Sequence, residues 1–265
     1  MATGNLSGKW GLILGASSGF GAATARELAQ QGMHIIGVHL DRMAAMANVE
    51  QLIKDLQACG VQALFFNVNA ADPVKRQEVL DQVQPKLGGS TITVFMHSLA
   101  FGTLKPYLAE SPKEQLTKDQ MEMTLDVMAN SLVYWVQDLI ARKLLGEGSR
   151  IFSMTSSGGS RVWPKYGAVS AAKAALESHT RQLAMELAPH GVTANCIRAG
   201  VTDTPALRKI PGNEEIMDVA KKRNPYHRLT TTQDVAQAIA TLSNSGAGWV
   251  TGNVIGTDGG EDIVG

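Results

Sequence analysis

Tyr166 and Lys173 are the residues in this sequence whose types and spacing could do chemistry together. They bound the run Tyr166-Gly-Ala-Val-Ser-Ala-Ala-Lys173. A phenol can give a proton or a hydrogen bond to a carbonyl oxygen on which negative charge develops. A nearby ammonium polarises that phenol and makes it a stronger donor. On an α-helix, seven steps return to within about 20° of the start, so the two side chains share a face, about 10.5 Å apart along the axis. Four residues before Lys173 stands Val169, which has no acid–base chemistry. Ser156, ten residues before Tyr166, adds a hydroxyl. The histidines do not build a metal site: His34 and His39 lie five apart on one strand, hence on opposite faces, and no His-Glu-x-x-His occurs. Cys59 and Cys196 form no metal or redox motif.

A second group of residues could hold a phosphate. The run Gly15-Ala16-Ser17-Ser18-Gly19-Phe20-Gly21 follows a short apolar strand and opens a helix. Its glycines allow a tight turn and close backbone approach. The helix N-terminus then offers free N–H groups and a positive dipole end to a pyrophosphate. At the end of the next strand, an acid would bind a ribose 2′-hydroxyl. Here His39 stands at that place, followed by Leu40. Asp41 comes two residues late and reads as a cap of the following helix, while Arg42 could reach a 2′-phosphate or could be a solvated charge at the helix start. This favours NADP(H) over NAD(H).

The elements that must position these groups alternate. Strands are expected over 11–14, 34–39, 63–68, 91–96, 150–154, 193–197 and 253–257. Helices are expected over 20–31, 43–58, 74–87, 120–145, 167–188 and 232–242. Such alternation implies a parallel sheet with right-handed crossovers. The expected architecture is α/β: a Rossmann-type, doubly wound parallel sheet of about seven strands in three α/β/α layers, forming one domain over 1–265. The stretch 204–230 breaks the rhythm. It is polar, contains Pro205, Pro211 and Pro225, and reads as a small helical insert that covers a substrate.

Composition sets the outer bounds. The chain has 265 residues, with 24 basic and 24 acidic side chains, so no net charge draws it to nucleic acid. No apolar run is long enough to cross a membrane. The segment Met1–Lys9 lacks an apolar signal core, and a reduced, cytoplasmic compartment is expected.

The glycine spacing Gly-x-x-x-Gly-x-Gly resembles that of the short-chain dehydrogenase/reductase superfamily, and the resemblance runs nearly end to end. It implies that Gly15, Ser17, Ser18, Gly19, Phe20 and Gly21 hold the dinucleotide phosphates and that Asn67 and Val68 contact adenine. His39 and Arg42 would then lie at the adenosine ribose. The run Ala199-Gly200-Val201-Thr202-Asp203-Thr204 matches the turn that binds the nicotinamide carboxamide, with Thr204 also near the phosphates. Val254-Ile255-Gly256-Thr257-Asp258-Gly259-Gly260 matches the C-terminal strand.

Within the superfamily, most ketone reductases carry Tyr-x-x-x-Lys. The Tyr-x6-Lys here resembles the enoyl-acyl carrier protein reductases, as does Met96-His97-Ser98-Leu99-Ala100-Phe101, where Ser98, Leu99 and Ala100 would border the cofactor. The resemblance to the NADPH-using branch implies Tyr166 and Lys173 as catalytic residues, Lys173 also on the nicotinamide ribose, with Ser156 where other members carry a second tyrosine. His97 would shape the nicotinamide pocket. The implied cofactor is NADPH, with NADH possible, and the substrate an enoyl thioester of acyl carrier protein or coenzyme A. Lys221, Lys222, Arg223 and Arg228 could dock the acidic carrier protein or form a solvated helix face. The long helices imply a homotetramer. Two rivals remain: a ketone, 3-ketoacyl or hydroxysteroid reductase using Ser156 and Tyr166, and a non-catalytic NADP(H)-binding regulator.

Overall fold

A computed structural model describes residues 6–264, so Met1–Asn5 of the N-terminal segment lie outside the described residues. Seven strands form one parallel sheet: β1 (Trp10–Leu14), β2 (His34–His39), β3 (Ala63–Asn67), β4 (Ile92–His97), β5 (Arg150–Ser156), β6 (Thr193–Ala199) and β7 (Val254–Thr257). Their spatial order is β3-β2-β1-β4-β5-β6-β7. The seven expected strands are all present, with β5 and β6 each two residues longer than expected.

The central strands are buried on both faces, which explains why β1 and β4 read as near-continuous apolar runs. Leu12, Leu14, Phe95 and Ile151 face one core with α3 (Pro73–Val83), α5 (Ser131–Ala141) and α6 (Gly167–Glu186). Their strand neighbours Ile13, Val94, Met96 and Phe152 face the other, with α1 (Gly19–Gln30), α2 (Met46–Ala58) and α8 (Thr232–Leu242). The period-2 alternation of the strands thus separates three layers. Trp135 anchors the first core, fully buried, and its indole N–H donates to Ala70 O at 2.8 Å.

The expected helix over 120–145 is different in detail. It starts as α4 (Lys118–Leu125), where Thr117 and Gln120 form a capping box, passes through a π turn at Asp126–Asn130, and continues as α5. It ends at Ala141, and the chain turns at Lys143 in a left-handed conformation (φ 58°). The insert holds a further helix, α7 (Asn213–Arg223).

The strand order reverses between β1 and β4, which opens a crevice at the carboxyl ends of those strands. Gly15 and Ser98 sit at its two lips. Among the described residues, no helix is long and apolar enough to cross a membrane.

Candidate active site

The glycine loop is shaped by contact between backbones. A Cβ on Gly15, whose φ is 82°, would stand 2.3 Å from Ser98 O, and one on Gly21 would stand 2.1 Å from Gly15 O. Neither position can take a side chain without moving main chain. Ser18 caps α1 without a side-chain bond, and the first helical bond runs from Ala22 N–H to Ser18 O at 3.2 Å. The N–H groups of Gly19, Phe20 and Gly21 therefore have no helical acceptor, which suits an anion. Ser17, Ser18 and Gly19 line one cleft of about 440 Å³ with Asp203, Thr204 and Pro205. Thr204 and the glycine loop, far apart in sequence, meet there. The cradle fits a dinucleotide: close approach, free donors and a strand–turn–helix frame all coincide.

At the end of β2, the structure corrects the reading of Asp41. It does not cap a helix. Its carboxylate lies 2.9 Å from Nδ1 of buried His39, and Arg42 takes the cap position, exposed and without a side-chain cap bond. Asn67 is committed as well: its Oδ1 accepts from Asp41 N–H at 2.9 Å and its Nδ2 donates to Asp41 O at 3.0 Å. Asn67 therefore clamps the turn after β2, while half-buried Val68 follows it.

Tyr166 is placed differently from a helix-face residue. It is the N-cap of α6, with φ −97° and ψ 0°, and its carbonyl accepts from Ser170 N–H at 2.8 Å. The chain enters through Lys165 at φ 64°, a strained conformation for a side chain of that kind. Burial pushes the Tyr166 phenol above its usual range, partly offset by the Ser156 hydroxyl beside it. Ser156 Oγ is itself buried and has no well-formed hydrogen bond to any described residue. A buried, unpaired hydroxyl at the end of β5, next to a phenol, is an available donor.

Lys173 is buried on α6, and its Nζ donates to Met154 O at 2.6 Å. Burial pulls its pKa down to about 8, while Cys196 and Glu177 act the other way. Glu177, one turn further along α6, accepts from Thr155 Oγ1 at 2.6 Å. Sequence reasoning passed over Glu177, although its i,i+4 offset from Lys173 was a usable signal.

His97 is buried at the end of β4, and its Nε2 lies 2.8 Å from Ser131 Oγ. Ser131 gives its own proton to Val127 O at 2.9 Å, so His97 carries its proton on Nε2. Burial, then the charge of Lys173, hold its pKa down to about 3, and it stays neutral beneath the site.

The turn after β6 is held from outside. Thr202 Oγ1 donates to Gly200 O at 2.9 Å, and Glu261 Oε2 accepts from Val201 N–H at 3.0 Å. Ser98, Leu99 and Ala100 leave β4 beside Gly15, with Ser98 N–H donating to Leu14 O at 2.9 Å. Of the four basic residues expected at the docking face, Arg223 pairs with Glu261 and Arg228 pairs with Asp234, leaving Lys221 and Lys222 exposed. Among the described residues, no group of three His, Cys, Asp or Glu could hold a metal ion.

Residues 15–261 match the family model described as "Enoyl-(Acyl carrier protein) reductase". The enoyl-[acyl-carrier-protein] reductase [NADH] FabI of Nostoc sp. is 28% identical over 98% of this chain and 99% of its own length. The 3-oxoacyl-[acyl-carrier-protein] reductase FabG of Escherichia coli is also 28% identical, over 98% of this chain and 100% of its own length. Among solved structures, a short chain dehydrogenase from Burkholderia cenocepacia in complex with NADP has a TM-score of 0.81 and 28% identity, covering 97% of this chain and 99% of its own. Enoyl and keto reductases thus stand at equal distance, and both carry the same frame. By the match that spans its phosphate loop, its Tyr–Lys pair and its C-terminal strand, this chain belongs to the short-chain dehydrogenase/reductase superfamily, as an oxidoreductase of the enoyl-(acyl carrier protein) reductase-like family.

Proposed function

We propose that the protein is an NADPH-dependent enoyl-acyl carrier protein reductase of fatty acid biosynthesis. The observation that carries this reading is the seven-residue offset from Tyr166, at the N-cap of α6, to buried Lys173, with Val169 in the position that ketone reductases give to tyrosine. An additional turn between phenol and ammonium suits a substrate whose reacting carbon lies beyond its carbonyl carbon.

NADPH, when bound, supplies a hydride to the β-carbon of a trans-2-enoyl thioester. Gly15, Gly19 and Gly21 let its pyrophosphate approach α1, and Arg42 pairs with its 2′-phosphate. Tyr166 donates a hydrogen bond to the thioester oxygen, on which enolate charge develops, and Ser156 is positioned to give a second. Lys173 orients the nicotinamide ribose and keeps Tyr166 polarised. A proton delivered through Tyr166 or a water chain to the α-carbon completes the saturated thioester. Leu207, Ile210, Ile216 and Met217 of the insert flank the acyl chain. The carrier protein docks at Lys221 and Lys222, and the helices spanning 118–141 and 167–186 pair subunits of a homotetramer.

One observation favours a second reading. The unpaired Ser156 hydroxyl beside Tyr166 is what a ketone reductase would use. The deciding experiment follows reduced nicotinamide absorbance with NADPH or NADH, offering crotonyl and dodecenoyl thioesters beside an acetoacetyl thioester and a hydroxysteroid. Oxidation of NADPH with the enoyl thioesters supports the first reading. Turnover only with keto compounds replaces it with the second.

A further inference from the structure

The reaction as described uses nothing beyond β7, yet a buried acid, Glu261, and a half-buried one, Asp262, follow it. Glu261 is 2% exposed, in a short 3-10 turn at Glu261–Ile263. A buried carboxylate is costly unless each oxygen is paired. Its Oε2 accepts from Val201 N–H at 3.0 Å, and its Oε1 accepts from Arg223 Nη2 at 3.2 Å. Val201 belongs to the turn after β6, and Arg223 is the last residue of α7 in the insert. The fit is tight, since a Cβ on Gly200 would stand 3.0 Å from Glu261 Oε2 and 2.3 Å from Thr230 Oγ1.

Neighbouring contacts act in the same direction. Asn224 Nδ2 donates to Asp258 O at 2.8 Å, a second tie between the end of α7 and the C-terminal segment. Asp262 pairs with Arg198 of β6 at 3.0 Å, and its backbone carbonyl accepts from Arg161 Nη2 at 2.8 Å. Arg161 lies in the loop that leads from Ser156 to Tyr166. The two acids thus gather the nicotinamide-side turn, the insert and the approach to the phenol.

We propose that Glu261 is a positioning residue: one carboxylate oxygen fixes the Val201 turn against the nicotinamide, and the other holds the insert at Arg223, so cofactor grip and insert placement are set by one side chain. This rests on the reading of 200–204 as the nicotinamide turn. A purely structural role for Glu261 would weaken every ligand of the fold alike, whereas a positioning role acts at one end of the dinucleotide.

The test compares NADPH with 2′-phospho-ADP-ribose, which lacks the nicotinamide, by equilibrium titration, and follows trypsin cleavage within 208–223. Glu261→Ala should raise the Kd for NADPH about tenfold, the equivalent of one charge-assisted hydrogen bond. It should leave 2′-phospho-ADP-ribose unchanged and speed cleavage of the insert. Glu261→Gln keeps an acceptor for Val201 N–H but not the charge for Arg223. It should hold NADPH within about threefold of wild type, since the bond to Val201 persists in neutral form, while still speeding cleavage. Equal weakening of both probes in the alanine variant, or unchanged cleavage in the glutamine variant, overturns the proposal. Wild-type protein that binds 2′-phospho-ADP-ribose as tightly as NADPH instead overturns the nicotinamide reading on which it rests.

Discussion

Lys173 directs its ammonium at the carbonyl of Met154, 2.6 Å away, in a site where burial has pulled its pKa down to about 8. Folding therefore disfavours its charged form. The penalty is full below about pH 8 and fades as pH rises toward 10.5, where the unfolded lysine also gives up its proton. At about 1.4 kcal/mol per tenfold in acidity, the penalty is about 3 kcal/mol, less about 1–2 kcal/mol for the hydrogen bond lost on substitution. Lys173→Met should stabilise the cofactor-free protein at pH 7 by about 1–2 kcal/mol, a margin that falls and then reverses sign as pH rises toward 10.5. Thermal melts at the two pH values check this, and a destabilised variant at pH 7 would contradict it.

Tyr166→Phe removes the phenol but keeps the ring that packs beside Gly158. Turnover should fall by about 10²–10³, as when one donor to a developing oxyanion is lost. The Kd for NADPH should stay near wild type. A parallel loss in both would show that the phenol serves binding rather than the reaction.

Histidine at position 97 makes the fold acid-sensitive. It stays neutral when folded, with a pKa near 3, whereas the unfolded side chain takes up a proton near 6.5. Its contribution is complete above pH 6.5 and is lost as pH falls from there, by up to about 1.4 kcal/mol per pH unit. His97→Asn should flatten urea-unfolding stability between pH 6.5 and 5, even if it lowers the value at neutrality. An unchanged slope in the variant would assign the acid sensitivity to other groups.

A methyl group at Gly21 would meet the main chain of Gly15 at 2.1 Å. Gly21→Ala should therefore distort the phosphate loop, costing about 1–3 kcal/mol of stability and most of the dinucleotide affinity. Calorimetric titration with NADPH, alongside a melting curve, reads both effects.

Charge reversal at Lys221 and Lys222 addresses docking. With Arg223 and Arg228 already paired, these two lysines carry the exposed positive charge at the end of α7. Replacing both by Glu should raise the KM for a carrier-bound enoyl thioester about tenfold at low salt. The coenzyme A thioester should be unaffected. Equal KM changes for the two substrates would remove the docking role.

The sheet was legible in the sequence because its strands are short apolar runs set between longer helical patterns, and the phosphate loop because it sits between a strand and a helix. Tyr166 was found, and the expected start at 167 left it just outside the helix, but periodicity gave no sign of the left-handed entry at Lys165 that aims it. The His39–Asp41 pair was missed because Asp41 lies beyond the end of β2, where strand alternation no longer applies. Glu261 gave no local signal at all. Its partner Val201 is 60 residues away, and only the parallel pairing of β6 with β7 brings them together.

The π turn at Asp126–Asn130 ties the register of a helix to the loop after β4. Such a turn is an α-helix that has absorbed one residue too many. Thr124, just before it, accepts from Thr103 N–H at 3.0 Å, and Gly102 is pressed between Thr124, Met128 and Val169. The loop after β4 is thus registered on the helix at this irregular turn. Removing a single residue there would rotate α4 against α5 by about 100° and re-aim that loop, together with its contact on Val169 of α6. The length of the helix at this turn therefore sets the aim of the loop, and a one-residue change there is felt through Gly102 as far as Val169 of α6.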